Sequence, residues 1–209
     1  MRTLLGALAL APLVLAAAPV QAATVLDPVG DYLPTFTGPH QADLDVTSFS
    51  VNYDPMTQLF TLGATFAGAI DATLGGNYII GVNTGTGVNH PFAGLGAPNV
   101  IFNQTIAINK NGTGSVGATA IDPSMIAIAG NILTVKVGLG LFPSTGFSPE
   151  QYGFNLWPRF NGQIPDFAPD NATLAAAVPE PATWGMLLLG FGAGGAMLRR
   201  RQRTRVAFG

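Results

Sequence analysis

The sequence of 209 residues has no cysteine, few charged residues and only two histidines. The absence of cysteine excludes disulfide bonds, iron–sulfur clusters and thiol catalysis. Charged residues make up 10% of the chain, against about 25% in an average soluble protein, whereas hydrophobic residues reach 48%. This composition excludes a chain kept disordered by charge, and the length suits one domain with a buried core.

The charges that are present are unevenly distributed. Residues 23–178 contain three basic and ten acidic residues, which leaves this segment with a formal charge of −7. Five arginines lie close together between residues 199 and 205. Because an acidic surface repels phosphate backbones, nucleic acid is excluded as a partner of the central segment.

The N-terminus has the pattern of a secretory signal. Met1 and Arg2 precede an apolar stretch over residues 4–18, and small residues lead to Ala22. About 15 apolar residues are too few for a membrane span, which needs roughly 20. The pattern predicts a signal peptide over residues 1–22, cut by signal peptidase after Ala22, and therefore export across the inner membrane.

The C-terminus has the pattern of a stop-transfer segment. Residues 182–198 carry no charge and are followed directly by the arginine cluster. This predicts a single transmembrane helix over 182–198, with the Arg-rich tail in the cytoplasm and the body outside.

Residues 178–205 combine an extended proline-containing triplet, a short apolar segment and a basic stop. The residues that carry this pattern are Pro179, Glu180, Pro181, Trp184, Gly190, Gly192, Arg199, Arg200 and Arg201. The arrangement resembles the PEP-CTERM sorting signal of Gram-negative bacteria. The resemblance implies removal of the signal by an exosortase, a transpeptidase-like cysteine protease of the membrane, in bacteria that also make exopolysaccharide. An ordinary tail anchor is the alternative interpretation.

The central segment alternates with the period of β-strands. Apolar residues recur at every second position over 60–66 and 133–141, and over 152–156, while a change of parity predicts a bulge near Ser48. No part of it has a convincing helical period. We therefore expect an all-β protein, an antiparallel β-sandwich of jelly-roll type over residues 23–166, followed by a linker over 167–177.

Four aspartates near the start of this segment form a candidate metal site. They occur as Asp27-x-x-Gly-Asp31 and Asp43-x-Asp45, and we expect the second pair to share one strand face. Carboxylate oxygens are the ligands that Ca²⁺ prefers. The opening also resembles DOMON-like and carbohydrate-binding sandwich modules, some of which hold calcium near the first strand. The alternative is local Asx turns and a solvated strand face.

A second candidate site lies late in the body. Asn155, Trp157 and Arg159 alternate with Leu156 and are expected on the outward face of a strand. A tryptophan beside arginine and asparagine can stack on a sugar ring and bond its hydroxyls. The alternative is a Trp that covers an edge of the sandwich, with the Arg stacked on it.

Catalytic motifs are not found. His40 and His90 lack the paired spacing of a zinc site, and no nucleophile elbow, P-loop or dinucleotide fingerprint occurs. The sequence thus predicts a non-enzymatic protein of the cell envelope or matrix that binds exopolysaccharide or calcium. Two alternatives stay open: a polysaccharide hydrolase that uses Glu150 and Asp166, and a self-associating surface protein.

Overall fold

The structure is a computed structural model that describes residues 22–176 and 190–192. The predicted signal peptide and the predicted transmembrane helix lie outside these ranges, apart from residue 22 and the helical residues 190–192. Within the described ranges no helix has the length and the apolar character needed to cross a membrane.

Residues 22–176 form eleven strands in two sheets. In chain order the strands are β1 (Ala23–Leu26), β2 (Val46–Asp54), β3 (Leu59–Phe66), β4 (Asn77–Asn83), β5 (Gln104–Asn109), β6 (Gly114–Val116), β7 (Thr119–Ala120), β8 (Ile126–Ala129), β9 (Ile132–Gly138), β10 (Gly153–Arg159) and β11 (Leu174–Ala175). The first sheet has the order β1-β2-β3-β9-β8 and the second β11-β10-β4-β5-β6-β7.

All strand pairs within the two sheets are antiparallel, which confirms the all-β prediction. The sheets have five and six strands, with short turns from β2 to β3, β5 to β6, β6 to β7 and β8 to β9, whereas residues 84–103 connect β4 to β5. The finer expectation of a jelly roll, a fold of eight strands in two Greek keys, stays a prediction.

The inner faces of both sheets share one hydrophobic core, which makes the body a sandwich. Along β3 every second side chain is buried, as the alternation over residues 60–66 predicts. The largest cluster of rings surrounds Phe60, which is fully buried and whose centroid lies 4.6 Å from that of Tyr53 and 5.2 Å from that of Phe154. This ring cluster joins β2 and β3 of one sheet to β10 of the other.

Two local sequence predictions have different outcomes. The pairing of β2 with β3 shifts between Val46 and Ser48, which confirms the predicted bulge. The strand predicted over residues 133–141 instead ends at Gly138, and Leu139–Leu141 forms a 3-10 turn. Glycine disfavours strand structure, and Gly138 and Gly140 flank the point where the strand ends.

A second hydrophobic cluster covers the outer face of the second sheet. Its buried members are Ile79, Ala97, Val100, Trp157 and Phe167. They come from β4 and β10 and from the segments before β5 and after β10. Because the cluster buries the outward side chains, β10 is buried on both faces up to its last residue.

The segment predicted as a linker, residues 167–177, belongs to the body as far as it is described. Phe167 and Ala168 are almost fully buried, and the backbone of Ala168 exchanges two hydrogen bonds with Leu156. Residues Leu174–Ala175 then pair with β10. Residues 167–168 and 174–176 therefore pack on the body and do not extend away from it as a linker would, whereas residues 170–172 are exposed.

Candidate functional site

Four carboxylates converge beside the first strand. Asp27 and Asp31 lie in the loop after β1, and Asp166 and Asp170 lie between β10 and β11. One carboxylate oxygen from each residue lies within 4.8 Å of the corresponding oxygen of every other. We call these four residues the acidic cluster.

Backbone contacts hold the two halves of the acidic cluster together. The Asp166 carboxylate accepts hydrogen bonds from the Val46 amide at 2.8 Å and from the Phe167 amide at 2.6 Å. Asp45, next to Val46, accepts a hydrogen bond of 2.8 Å from the amide of Gly30, inside the loop of Asp27 and Asp31. The start of β2 thus ties the N-terminal loop to the segment around residue 166.

Burial and nearby negative charges make the carboxylates of Asp27 and Asp166 hard to ionise. Burial, followed by the charges of Asp170, Asp31 and Asp45, raises the pKa of Asp27 to about 7. Burial also raises the pKa of Asp166 to about 8, although its backbone hydrogen bond from Val46 acts in the opposite direction. The pKa values of Asp31 and Asp45 are raised as well, again mainly by burial. A cation at this position removes the repulsion that otherwise favours protonation.

The acidic cluster agrees only in part with the predicted metal residues. Asp27 and Asp31 belong to it, whereas Asp43 does not share a strand face with Asp45, because β2 begins only at Val46. Asp43 lies in the 3-10 turn Ala42–Leu44, where its carboxylate forms a buried ion pair of 2.7 Å with Lys110. The structure therefore separates Asp43 from the predicted set.

Asp166 and Asp170 were not among the metal-site residues predicted from the sequence. A signal was present, because Asp27 and Asp31 have the same spacing of four as Asp166 and Asp170, and each pair encloses a proline. The same Asp-x-x-x-Asp pattern thus occurs in two loops, each with two carboxylates four positions apart. Nothing local to either loop shows that they meet.

A cavity of about 570 Å³ opens on the outer face of the second sheet. Its wall is apolar and aromatic, with Ile79, Phe92, Phe102 and Trp157 among its residues. Polar groups also line it, namely Thr35, Thr105, Arg159 and Gln163. We call this feature the outer cavity; its size is within the range of small-molecule pockets, about 300–1,000 Å³.

Aromatic rings pack tightly around Trp157 at the outer cavity. The ring centroids of Phe92 and Phe102 each lie 5.0 Å from that of Trp157. Trp157 is only 3% exposed, so it offers part of a wall and not a flat stacking platform. Arg159, the last residue of β10, is exposed at the same cavity.

The structure places Trp157 and Arg159 on the face of β10 opposite Leu156, as predicted, but this face is largely covered. Trp157 and Arg159 line the outer cavity, whereas Asn155 is buried and its amide donates hydrogen bonds to the carbonyls of Pro169 and Ala172. Only Arg159 is exposed as expected. The alternation within β10 does not reveal that a second cluster covers this face.

The two carboxylates of the hydrolase alternative occupy different surroundings. Asp166 belongs to the acidic cluster, and Glu150 lies in the 3-10 turn Pro149–Gln151 after β9. Neither residue lines the outer cavity. Among the histidines, His40 stacks on Tyr32 with ring centroids 4.1 Å apart, and a ring nitrogen of His90 lies 3.4 Å from the carbonyl oxygen of Pro98.

Comparison with known families finds one match, at the C-terminus. Residues 177–201 match the PEP-CTERM protein-sorting motif. The match contains all nine residues named for the predicted sorting motif and ends four residues before the predicted segment 178–205 does, so the prediction of a PEP-CTERM motif is confirmed. No curated protein and no solved structure matches the chain. The motif implies export, anchoring in a membrane and later cleavage by an exosortase-type membrane peptidase.

Proposed function

We propose that this PEP-CTERM protein delivers a non-catalytic saccharide-binding β-sandwich to the cell surface or the extracellular matrix. Signal peptidase removes the N-terminal segment, and residues 182–198 hold the chain in the membrane with the body outside. The exosortase-type peptidase then releases the body or transfers it. The sorting motif supports the route, and the outer cavity supports the binding role.

The sorting route is tested by changing Pro179, Glu180 and Pro181 to alanine together. We expect the wild-type chain to lose its C-terminal segment in cells that contain the peptidase, and the triple variant to stay uncut in the membrane fraction. Intact-mass measurement of the protein from each fraction distinguishes the two forms.

Gln202→Ala is the matched control, because residue 202 lies just outside the matched range. It should be processed like the wild type. Normal processing of the triple variant, or normal delivery of a chain that ends before Val178, would contradict the route.

The chemistry of the outer cavity supports a saccharide as the ligand. A sugar ring presents apolar C–H faces and polar hydroxyl groups, which match an aromatic wall with Thr35, Arg159 and Gln163 nearby. Arg159 is one of only three basic residues in a segment of formal charge −7, so it supplies local donors without attracting polyanions in general. We therefore expect a neutral or weakly acidic polysaccharide.

Binding is tested with the full chain, purified in detergent, against a panel of bacterial exopolysaccharides by calorimetry. Arg159→Ala removes several donors, and Thr35→Trp places a large ring in the cavity. We expect each change to weaken binding about tenfold or more, which corresponds to about 1.4 kcal/mol.

Lys136→Ala is the control for charge, since Lys136 is an exposed cation on β9 of the other sheet. Saturable binding that is equal in all four proteins would place the site elsewhere. Turnover of a polysaccharide that Glu150→Gln or Asp166→Asn abolishes would instead favour the hydrolase. Calcium-dependent growth in light scattering would favour the self-associating alternative.

A further inference from the structure

We propose that Asp27, Asp31, Asp166 and Asp170 bind a single Ca²⁺ ion, which joins the loop after β1 to the segment before β11. This assignment replaces two of the four residues predicted from the sequence. It does not depend on the saccharide proposal, because none of the four residues lines the outer cavity.

The oxygen atoms of the acidic cluster lie close enough together to hold one ion. Four carboxylate oxygens within 4.8 Å of one another can all reach one ion at the 2.3–2.6 Å of Ca²⁺–oxygen bonds after small side-chain adjustments. The residues come from two segments more than 130 positions apart in the chain. Close approach of four like charges is unfavourable unless protons or a cation compensate them.

Asp45 is outside the acidic cluster but contacts its N-terminal loop at Gly30. Asp45 is 4% exposed, and its carboxylate is directed at the Asp27–Asp31 loop, where one oxygen accepts the Gly30 amide. Its other oxygen, Oδ1, is buried without a hydrogen-bond partner among the described residues, and the same is true of Oδ2 of Asp27. Buried oxygens normally have a partner, so these two are available to bind a cation or a water molecule bound to it.

The donor set favours calcium over other metals. All four side chains offer oxygen, and no histidine or cysteine belongs to the acidic cluster, which disfavours zinc and copper. The ligands lie in loops, not in a rigid octahedral frame. Irregular oxygen sites of this kind suit Ca²⁺, whereas Mg²⁺ needs near-ideal octahedral geometry and keeps most of its water.

Calcium binding to the full chain is tested by thermal unfolding in detergent, first with a chelator and then with CaCl₂ alone. For a dissociation constant of about 0.1 mM, 10 mM CaCl₂ is expected to raise the Tm by about 5–10 °C. Equimolar MgCl₂ should give less than half of that rise. Calorimetry should show one site per chain.

Asp27→Asn and Asp170→Asn are expected to have opposite effects on the Tm, relative to the wild type, without and with calcium. Without calcium each variant should unfold at the same temperature as the wild type or above it, because one repelling charge is gone. With calcium each variant should bind at least tenfold more weakly and lose most of the rise in Tm. Folding failure is thus distinguishable from loss of the ion, since a misfolded variant has a lower Tm in the chelator.

Asp122→Asn is the matched control. Asp122 is exposed and caps the turn Pro123–Met125 through its side-chain oxygen, a bond that asparagine can keep. It should retain the full calcium response. The proposal is overturned if calcium leaves the wild-type Tm unchanged, if magnesium is equally effective, or if both cluster variants respond like the wild type.

Discussion

Replacing Lys110 with methionine is expected to lower the free energy of unfolding by about 3–5 kcal/mol, the usual cost of breaking a buried ion pair. In the ion pair, the Lys110 side chain is 3% exposed and the Asp43 side chain 1% exposed. The Lys110 ammonium also donates a hydrogen bond to the carbonyl of Gly75. Removal of the cation leaves the Asp43 carboxylate buried without a counter-charge. This loss follows from the charge left behind, not from lost packing, since methionine keeps the length of the side chain.

A double-mutant cycle separates these causes. In the native protein the Asp71 amide donates a hydrogen bond of 3.1 Å to the Asp43 carboxylate. Asp43→Asn keeps a side-chain oxygen that can accept this bond. The double variant Lys110→Met/Asp43→Asn should therefore recover at least about 2 kcal/mol of the loss. Urea unfolding, followed by the fluorescence of Trp157 in a Trp184→Phe background, gives the free energy of unfolding of the reference protein, both single variants and the double variant. A loss below 1 kcal/mol for Lys110→Met would contradict the buried ion pair.

Phe60→Ala is expected to cost about 3–5 kcal/mol, as is typical when a buried aromatic ring is removed. Phe60 is fully buried, and its ring lies within 6 Å, centroid to centroid, of four others, those of Tyr53, Phe142, Tyr152 and Phe154. The cavity left behind is bounded by both sheets, so neither sheet can close it alone. The same urea experiment measures the loss.

Phe147→Ala is the comparison for this change. Phe147 is 37% exposed and lies in the loop between β9 and β10, so its removal should cost less than about 1 kcal/mol. Equal losses for the two variants would mean that the ring cluster around Phe60 does not form the centre of the core.

The elements that the sequence predicted well are those with one buried and one exposed face. Alternation identified the buried face of β3, and the change of parity identified the bulge at Ser48, because both depend on a local period of two. Alternation did not predict the burial of β10, because residues that precede β5 in the chain pack on its outward side chains. A pattern within one strand contains no information about a segment that covers it from elsewhere.

The acidic cluster shows the same limit at the level of a site. Asp27 and Asp31 could be selected from their own spacing, but Asp166 comes close to them only in the fold, where its carboxylate accepts a hydrogen bond from the Val46 amide at the start of β2. That contact spans 120 positions. The sorting motif, in contrast, is contiguous, so the sequence alone was sufficient to identify all of its residues.

The lengths of the outermost strands limit how copies of this body can join. β1 and β8 at the margins of one sheet have four residues each, and β7 and β11 at the margins of the other have two each. A strand of a second chain that pairs with any of these edge strands can form backbone hydrogen bonds along four residues at most, whereas a usual strand has about five or six residues. Addition of a strand from another copy at these margins is accordingly disfavoured.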